Sequence, residues 1–240
     1  MTEKPILASI QVGLPKQLGT PGAIDPMDRP WVTAAFKEAV EGPVWLGKTN
    51  LAGDGQANLE VHGGPDKAVL AYAAEHYPVW RSELRLPNLS NGGFAENFTV
   101  DGLAEQTVAI GDIFQVGDAR VQVSEPRQPC WKNSRRWRIK DLSLRIQNSG
   151  RTGWYFRVLQ EGNVESGIPL VLLDRPFPEW TVALANDIMH GRFDDKGLAA
   201  KLSECRLLGA SWKNHLSALA KGQKPANTQR RLWGQSSTND

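Results

Sequence analysis

From Lys4 to Arg175 the apolar positions fall in short runs separated by Gly, Pro and Asp. Runs of that length, bounded by turn formers, predict short strands. "ILASIQVGL" (6–14) and "GPVWLG" (42–47) read as strands. "TVAIGDIFQVGDARVQVSEP" (107–126) reads as two or three strands separated by Gly-Asp turns, and "WYFRVLQEGNVESGIPLVLLD" (154–174) as a hairpin. Two segments of helical period interrupt them. One is "AAEHYPVWRSEL" (73–84), where Pro78 falls early enough for its missing N–H to be tolerated. The other, "NSRRWRIKDLSLRIQNSG" (133–150), reads as one helix closed by Gly150. Many short strands with few helices predict a mainly β fold, compact and barrel-like.

The period changes after "DRPFPEW" (174–180). "TVALANDIMHG", "DDKGLAAKLSECRL" and "SWKNHLSALAKG" have helical spacing; two are closed by Gly and two opened by Asp or Ser. The organisation expected is a β-barrel domain over 1–175, a small three-helix unit over 176–221, and a polar tail over 222–240. That tail is read as disordered, or ordered only by docking. No internal repeat is present.

Composition narrows the class. A chain of 240 residues with 40% hydrophobic content suits a folded protein with a real core. A formal charge of +2 is too small for nucleic acid to be a global partner, so any basic site is local. Two cysteines, Cys130 and Cys205, make no disulfide framework and point to a reduced, cytoplasmic setting. The N-terminal residues lack the apolar stretch of a signal peptide, and no run is long enough for a membrane span.

Positive charge gathers in "SEPRQPCWKNSRRWRIKD" (124–141), where Arg127, Lys132, Arg135, Arg136, Arg138 and Lys140 surround Cys130. Cations and a helix N-terminus lower a thiol pKa, and a helix starting near Trp131 or Asn133 supplies the second. The plainer reading makes the arginines a solvated helix face. Two chemistries fit a thiolate here. Five residues separate Cys130 from Arg136, the spacing of cysteine phosphatases, though "WKNSR" lacks the glycines a phosphate-wrapping loop needs. Alternatively the thiolate ligates a soft metal whose other ligands come from an anionic cofactor that the arginines neutralise.

Other motifs are less specific. In "LEVHGGPDKAVLAYA", Gly63 and Gly64 permit a tight turn beside His62, Asp66 and Lys67. "NGGFAENFTVDGL" places Glu96 and Asn97 after a second Gly-Gly turn, and "GRTGWYFRVL" holds Arg151 between glycines as a candidate anion contact. Trp131, Trp137 and Trp154 are candidate pocket walls, although tryptophans more often belong to the core. His76, His190 and His215 show no metal-ligand spacing, and Cys205 reads as a buried small hydrophobe.

Taken in order, "VHGGPDKAV", "GGFAENFTVDGL", "VAIGDIFQVGDARVQVSEPRQPCWK" and "GRTGWYFRVLQEG" resemble the MOSC domain family, the molybdenum cofactor sulfurase C-terminal domains. Order and spacing are similar to the stand-alone bacterial branch linked to hydroxylaminopurine resistance. That branch carries a three-helix domain after a segment like "DRPFPEWTV". The resemblance spans about Gly42 to Ala220. It implies a twisted β-barrel with a pocket for the molybdenum cofactor, whose metal Cys130 would ligate. Arg127, Lys132, Arg135, Arg136, Arg151, His62, Gly63, Gly64, Asp66, Lys67, Glu96 and Asn97 are the candidate cofactor contacts. It further implies reduction of N-hydroxylated small molecules to amines, with electrons from a separate reductase and no nucleic-acid or membrane partner. The helical unit would dock that reductase or mediate a homodimer. The alternative is a carrier of the cofactor, or of persulfide sulfur on Cys130, without turnover. Glu125 and Ala95 stand where family members commonly have Gln and Gly.

Overall fold

The computed structural model describes residues 4–193, 195–223 and 228–234. The first part of the chain forms β1 (Ile6–Val12), β2 (Lys16–Leu18), β3 (Trp31–Thr33), β4 (Glu38–Val40), β5 (Val44–Leu46), α1 (Leu59–His62), β6 (Val69–Ala73) and α2 (His76–Leu84). The middle forms β7 (Phe98–Asp101), β8 (Ile113–Val116), β9 (Ala119–Pro126), α3 (Trp131–Trp137), α4 (Leu142–Ser149), β10 (Trp154–Gln160), β11 (Gly162–Val164) and β12 (Leu170–Asp174). Four helices follow: α5 (Val182–Met189), α6 (Lys196–Ser203), α7 (Ala210–Ala220) and α8 (Thr228–Trp233). Among the described residues no helix is long and apolar enough to cross a membrane.

An eight-stranded sheet runs β12-β8-β9-β10-β6-β7-β1-β4. Its interior strand β6, VLAYA, is buried at every position, as expected for a continuous apolar run covered on both faces. The expected barrel is not closed. β1 returns toward β12 only at an isolated bridge, Ile6 to Pro169, with Leu7 N donating to Ile168 O at 2.9 Å and Leu170 N to Pro5 O at 2.8 Å. Gly167 N also donates to Leu7 O at 2.7 Å, but Pro5 has no N–H to return the bond it accepts from Leu170, so the contact ends within these few residues and the sheet stays open.

The expected 154–174 hairpin is replaced by longer-range pairing. β10 lies between β9 and β6, β11 leaves to pair with β5, and β12 pairs with β8. The expected 133–150 helix is two helices. Arg138 adopts φ 55°, its N–H closes on Ser134 and Arg135 carbonyls, and Ile139 N donates to Ser134 O at 3.0 Å. A left-handed non-glycine residue costs about 1–2 kcal/mol. Here the closing hydrogen bonds and an ion pair from Arg138 to Asp28 hold it. Gly150 ends α4 at φ 75°, as the sequence predicted.

One core joins the sheet to the helices. Val182, Ile188, Leu202, Trp212 and Leu216 pack in the same buried cluster as Phe98, Phe114, Val121 and Phe156. Thr181 caps α5 through Leu184 N, and Asp195 caps α6 through Gly197 and Leu198 N–H. A second cluster, mainly aromatic, packs Tyr72, Tyr77, Trp80 and Phe94 against Leu142 and Ile146 of α4. It supports the loop carrying Ala95 and Asn97. Within the region read as a tail, residues 228–233 form α8, docked on α3 and α4; residues 224–227 and 235–240 lie outside the described residues.

Candidate active site

Cys130 is set by two elements. β9 ends at Pro126, and the N–H of Arg127 still donates to Gly153 O at 3.0 Å, so the chain leaves the sheet in fixed register. α3 then begins at Trp131 with Cys130 as its extended N-cap residue (φ −122°, ψ 161°). The Cys130 carbonyl accepts from Asn133 N at 3.1 Å, from Asn133 Nδ2 at 3.3 Å and from the Ser143 hydroxyl at 2.6 Å. The thiol is half-buried at the first turn of the helix.

His62 reaches this thiol because α1 is a one-turn helix with firm ends. Asn58 caps it through Val61 N at 3.2 Å, and Gly63 N closes on Leu59 O at 3.1 Å. A Cβ on Gly63 would meet that carbonyl at 2.7 Å, so only glycine lets the chain turn here. Gly64 continues at φ 93°, and Lys67 folds back to donate to Val61 O at 3.0 Å. Burial alone would raise the Cys130 pKa. A hydrogen bond and charge from His62, the charge of Arg127 and the Lys132 backbone N–H outweigh it and lower the pKa to about 6. The thiolate is the dominant form at neutral pH.

Behind Cys130 lies an inner pocket of roughly 650 Å³ including its open mouth, within the size range of small-molecule sites. Arg127, Lys132, Lys67 and His62 line it, as do Asn97, Ala95 and Tyr155. Arg127 is 4% exposed; its Nη2 donates to Phe94 O at 3.1 Å. Its Nη1 is buried with no hydrogen-bond partner among the described residues. The Oδ1 of Asn133, also in the lining, is orphaned in the same way. Burial pushes the Lys132 ammonium down, against the pull of Cys130, and pushes the Tyr155 hydroxyl up. In front of Cys130 a wider groove shares His62, Cys130 and Lys132 with the pocket and is bounded by Trp31, Trp131 and Trp233. Cys130 therefore occupies a neck between two chambers.

Of the expected contacts, the structure brings His62, Lys67, Asn97, Arg127, Lys132 and Cys130 together. It does not bring the others to the pocket. Arg135 spends its guanidinium on the carbonyls of Pro26, Met27 and Arg29, stacked on Trp31 and Trp131 at 5.2 and 5.4 Å. Arg136 donates to the carbonyls of Ala35 and Gly92, so it does not face Cys130 as a phosphatase arginine would. Arg151 stacks on Trp80 at 3.7 Å and pairs with Glu83. Asp66 pairs with Arg157 at 2.8 Å. Glu96 folds its own loop, accepting from Gly92 N, Phe94 N, Thr99 Oγ1 and the Tyr77 hydroxyl. Gly63 and Gly64 shape α1 and its exit. Trp137 bonds Gly93 O at 2.8 Å, and Trp154 is core.

Sequence reasoning missed Lys37 and Asp54, a buried ion pair in the pocket wall, together with Asn133 and Tyr155. Asp54 also accepts from Gly13 N at 2.8 Å and from Asn97 Nδ2 at 2.9 Å, so its hydrogen-bonding capacity is met and its charge is paired with Lys37. Asn133 stands three residues after Cys130, a spacing that puts it on the same helical turn; nothing local marks the others.

Glu125 is not part of the pocket lining. It faces α7, with its carboxylate 3.2 Å from the Ser211 hydroxyl and 3.5 Å from Lys67 Nζ. Burial raises its pKa, against Lys67 and Ser211. Ala95 adopts φ 67°, a conformation that glycine takes without a Cβ clash.

The family model described as the MOSC domain matches residues 58–171, which contain this pocket's His62, Asn97, Arg127 and Cys130. The chain is 46% identical over 199 residues to YflK of Bacillus subtilis, covering 82% of this chain and 88% of that protein. A Gibberella moniliformis protein named a reductase is 34% identical over 207 residues, 85% of this chain but 36% of that longer protein. The crystal structure of YiiM from Geobacillus stearothermophilus superposes with a TM-score of 0.73 at 35% identity, covering 90% of this chain and 99% of that one. The chain belongs to the MOSC domain family.

Proposed function

We propose that this protein is a molybdenum-cofactor-dependent reductase that converts N-hydroxylated compounds, hydroxylamino bases among them, to amines, using electrons from a separate reductase. The observation that carries this reading is the placement of Cys130, beside His62 and Arg127, which lower its pKa, in the lining shared by a cation-lined pocket and an aromatic groove.

The residues present fit the cofactor. The free Nη1 of Arg127 is a buried donor suited to a phosphate oxygen, with Lys132 and Lys67 adding charge. The orphaned Asn133 Oδ1 is an acceptor suited to a ring N–H. A thiolate is a soft ligand of the kind the metal prefers. Among the described residues no group of three or more His, Cys, Asp or Glu could hold a metal ion on its own, and Cys130 would be a protein ligand beside those of the cofactor. When bound, that cofactor supplies the two-electron chemistry that cleaving an N–O bond requires.

This chain's own residues bind and orient. His62 keeps Cys130 ionised, Arg127 and Lys132 balance the anionic cofactor, and Trp31 and Trp131, with ring centroids 5.7 Å apart, bound the side from which a planar substrate enters. Overall, the N–O bond breaks, two electrons and two protons are taken up, and an amine and water leave. A relative named a reductase supports the reaction class. The test is turnover: cofactor-loaded protein, an aromatic hydroxylamine and a chemical electron donor should yield amine in proportion to donor consumed. Loaded protein that forms no amine would overturn the reading and leave a carrier.

A further inference from the structure

The last described segment of the chain holds both neighbours of Cys130. Arg231, on α8, donates Nη1 to the Pro129 carbonyl at 2.6 Å and Nη2 to Gln147 Oε1 of α4 at 2.6 Å. Three residues later the Gly234 backbone lies against the Trp131 indole, where a Cβ would stand 3.4 Å from the ring. Leu232, between these two contacts, is 5% exposed. So the residue before Cys130 and the residue after it are each met by α8 or its C-terminal flank.

A helix of six residues does not hold itself together in water, and α8 owes its conformation to these contacts. They add little to the main fold, because Leu232 packs apart from both hydrophobic clusters. What they secure is the cysteine segment. The Pro129 carbonyl precedes a helix start and accepts from no backbone N–H among the described residues. A guanidinium can satisfy it and Gln147 together because its N–H groups diverge in a rigid plane, whereas an ammonium is a point donor. Thr228, Arg230, Arg231 and Trp233 also line the groove in front of Cys130, so the same helix forms a wall on the substrate side.

We infer that α8 is a clasp on the cysteine segment and that Arg231 is a positioning residue for Cys130, acting through the carbonyl of Pro129. The inference rests on the reading of Cys130 as the working thiolate. It goes further by assigning a role to a segment that its polar composition marks as a tail.

The test is alkylation by iodoacetamide, a neutral reagent, in the full-length protein at pH about 9, where a thiol of this kind is ionised and the rate reads access and motion. Mass spectrometry follows Cys130 and Cys205 separately, and the buried Cys205 reports loosening of the whole fold. Arg231→Ala is expected to speed alkylation at Cys130 by about fivefold or more, with Cys205 and Tm unchanged. Arg231→Lys, able to reach one acceptor, should partly restore the parent rate. Gln147→Ala removes one of the two acceptors and should give a smaller rise; it decides the matter if Arg231→Ala does not fold. A Cys130 rate within a factor of about two of the parent in the folded variants, or equal acceleration at Cys205, would overturn the clasp. The readout needs no cofactor, so this result and the reductase assay can fail independently.

Discussion

Lys67 lines the pocket at Cys130, and its ammonium lies 3.5 Å from the carboxylate of Glu125, a residue outside that lining and 3% exposed. The pair ties the glycine loop to the helical unit, because Glu125 also accepts from Ser211 in the first turn of α7. A Cβ on Gly209, just before that helix, would meet Glu125 Oε2 at 2.1 Å. Burial nevertheless raises the Glu125 pKa, with Lys67 and Ser211 compensating only in part. The native state therefore binds more protons than the unfolded chain between the ordinary glutamate pKa and the raised one. Stability falls as pH rises through that window. Glu125→Gln lacks this titration. Its stability relative to the parent should improve as pH rises through the window and level off above it, as read by denaturant melts across pH. A pH-independent difference between the two proteins would contradict the assignment.

His62 and Cys130 supply a second prediction. His62 provides both a hydrogen bond and a charge that lower the thiol pKa to about 6. In cofactor-free protein, His62→Ala should move the pH midpoint of Cys130 alkylation upward by about one unit or more. An unchanged midpoint would transfer the effect to Arg127 and the backbone N–H of Lys132.

Ala95 is a left-handed alanine, at φ 67°, in the wall of the pocket, and its N–H donates to Gly92 O at 3.0 Å. Glycine adopts that conformation without the Cβ clash. Ala95→Gly should stabilise the fold by up to about 1 kcal/mol, and Ala95→Val should destabilise it by more. Thermal melts of the three proteins check the order.

His190 closes α5 with its Nε2 buried and unpartnered among the described residues. Burial, reinforced by Arg231 and Arg192, lowers its pKa to about 3 from an ordinary 6.5. The unfolded chain takes up a proton that the folded one refuses. The stability gained by keeping His190 neutral is thus full above pH 6.5 and lost as pH falls toward 3. The slope is about 1.4 kcal/mol per pH unit at most. His190→Gln should remove that part of the acid sensitivity, seen as a shallower loss of stability between those pH values.

How much of this was legible in the sequence follows the reach of each signal. The strands at β1, β5, β8 and β9, the stop at Gly150 and the thiolate at Cys130 were all legible. The strands and the stop depend on neighbours within a few positions, turn formers and a C′ glycine; of the groups that lower the Cys130 pKa, Arg127 and the Lys132 N–H are local in sequence, but His62 is not. The pairing of β10 with β9 and β6 was not, because strand partners over that distance leave no local mark. The break at Arg138 carries neither Gly nor Pro and is held by Asp28, more than a hundred residues upstream. The basic cluster was legible as charge but not as direction. Arg127 turns to the pocket, whereas Arg135 and Arg136 serve carbonyls of segments 26–29, 35 and 92. The Lys37–Asp54 pair lies outside every motif and could be seen only once β1, β4 and the 51–55 turn had met.

The central claim is that Cys130 is the protein's ligand to a molybdenum cofactor seated on Arg127 and Lys132. The most direct test is molybdenum and pterin content in the full-length protein and in Cys130→Ala, both purified from a host that makes the cofactor. The account predicts near-stoichiometric metal and pterin in the parent, with the metal lost from the variant while its fold is retained. Parent protein without metal or pterin, even after reconstitution with cofactor, would contradict it.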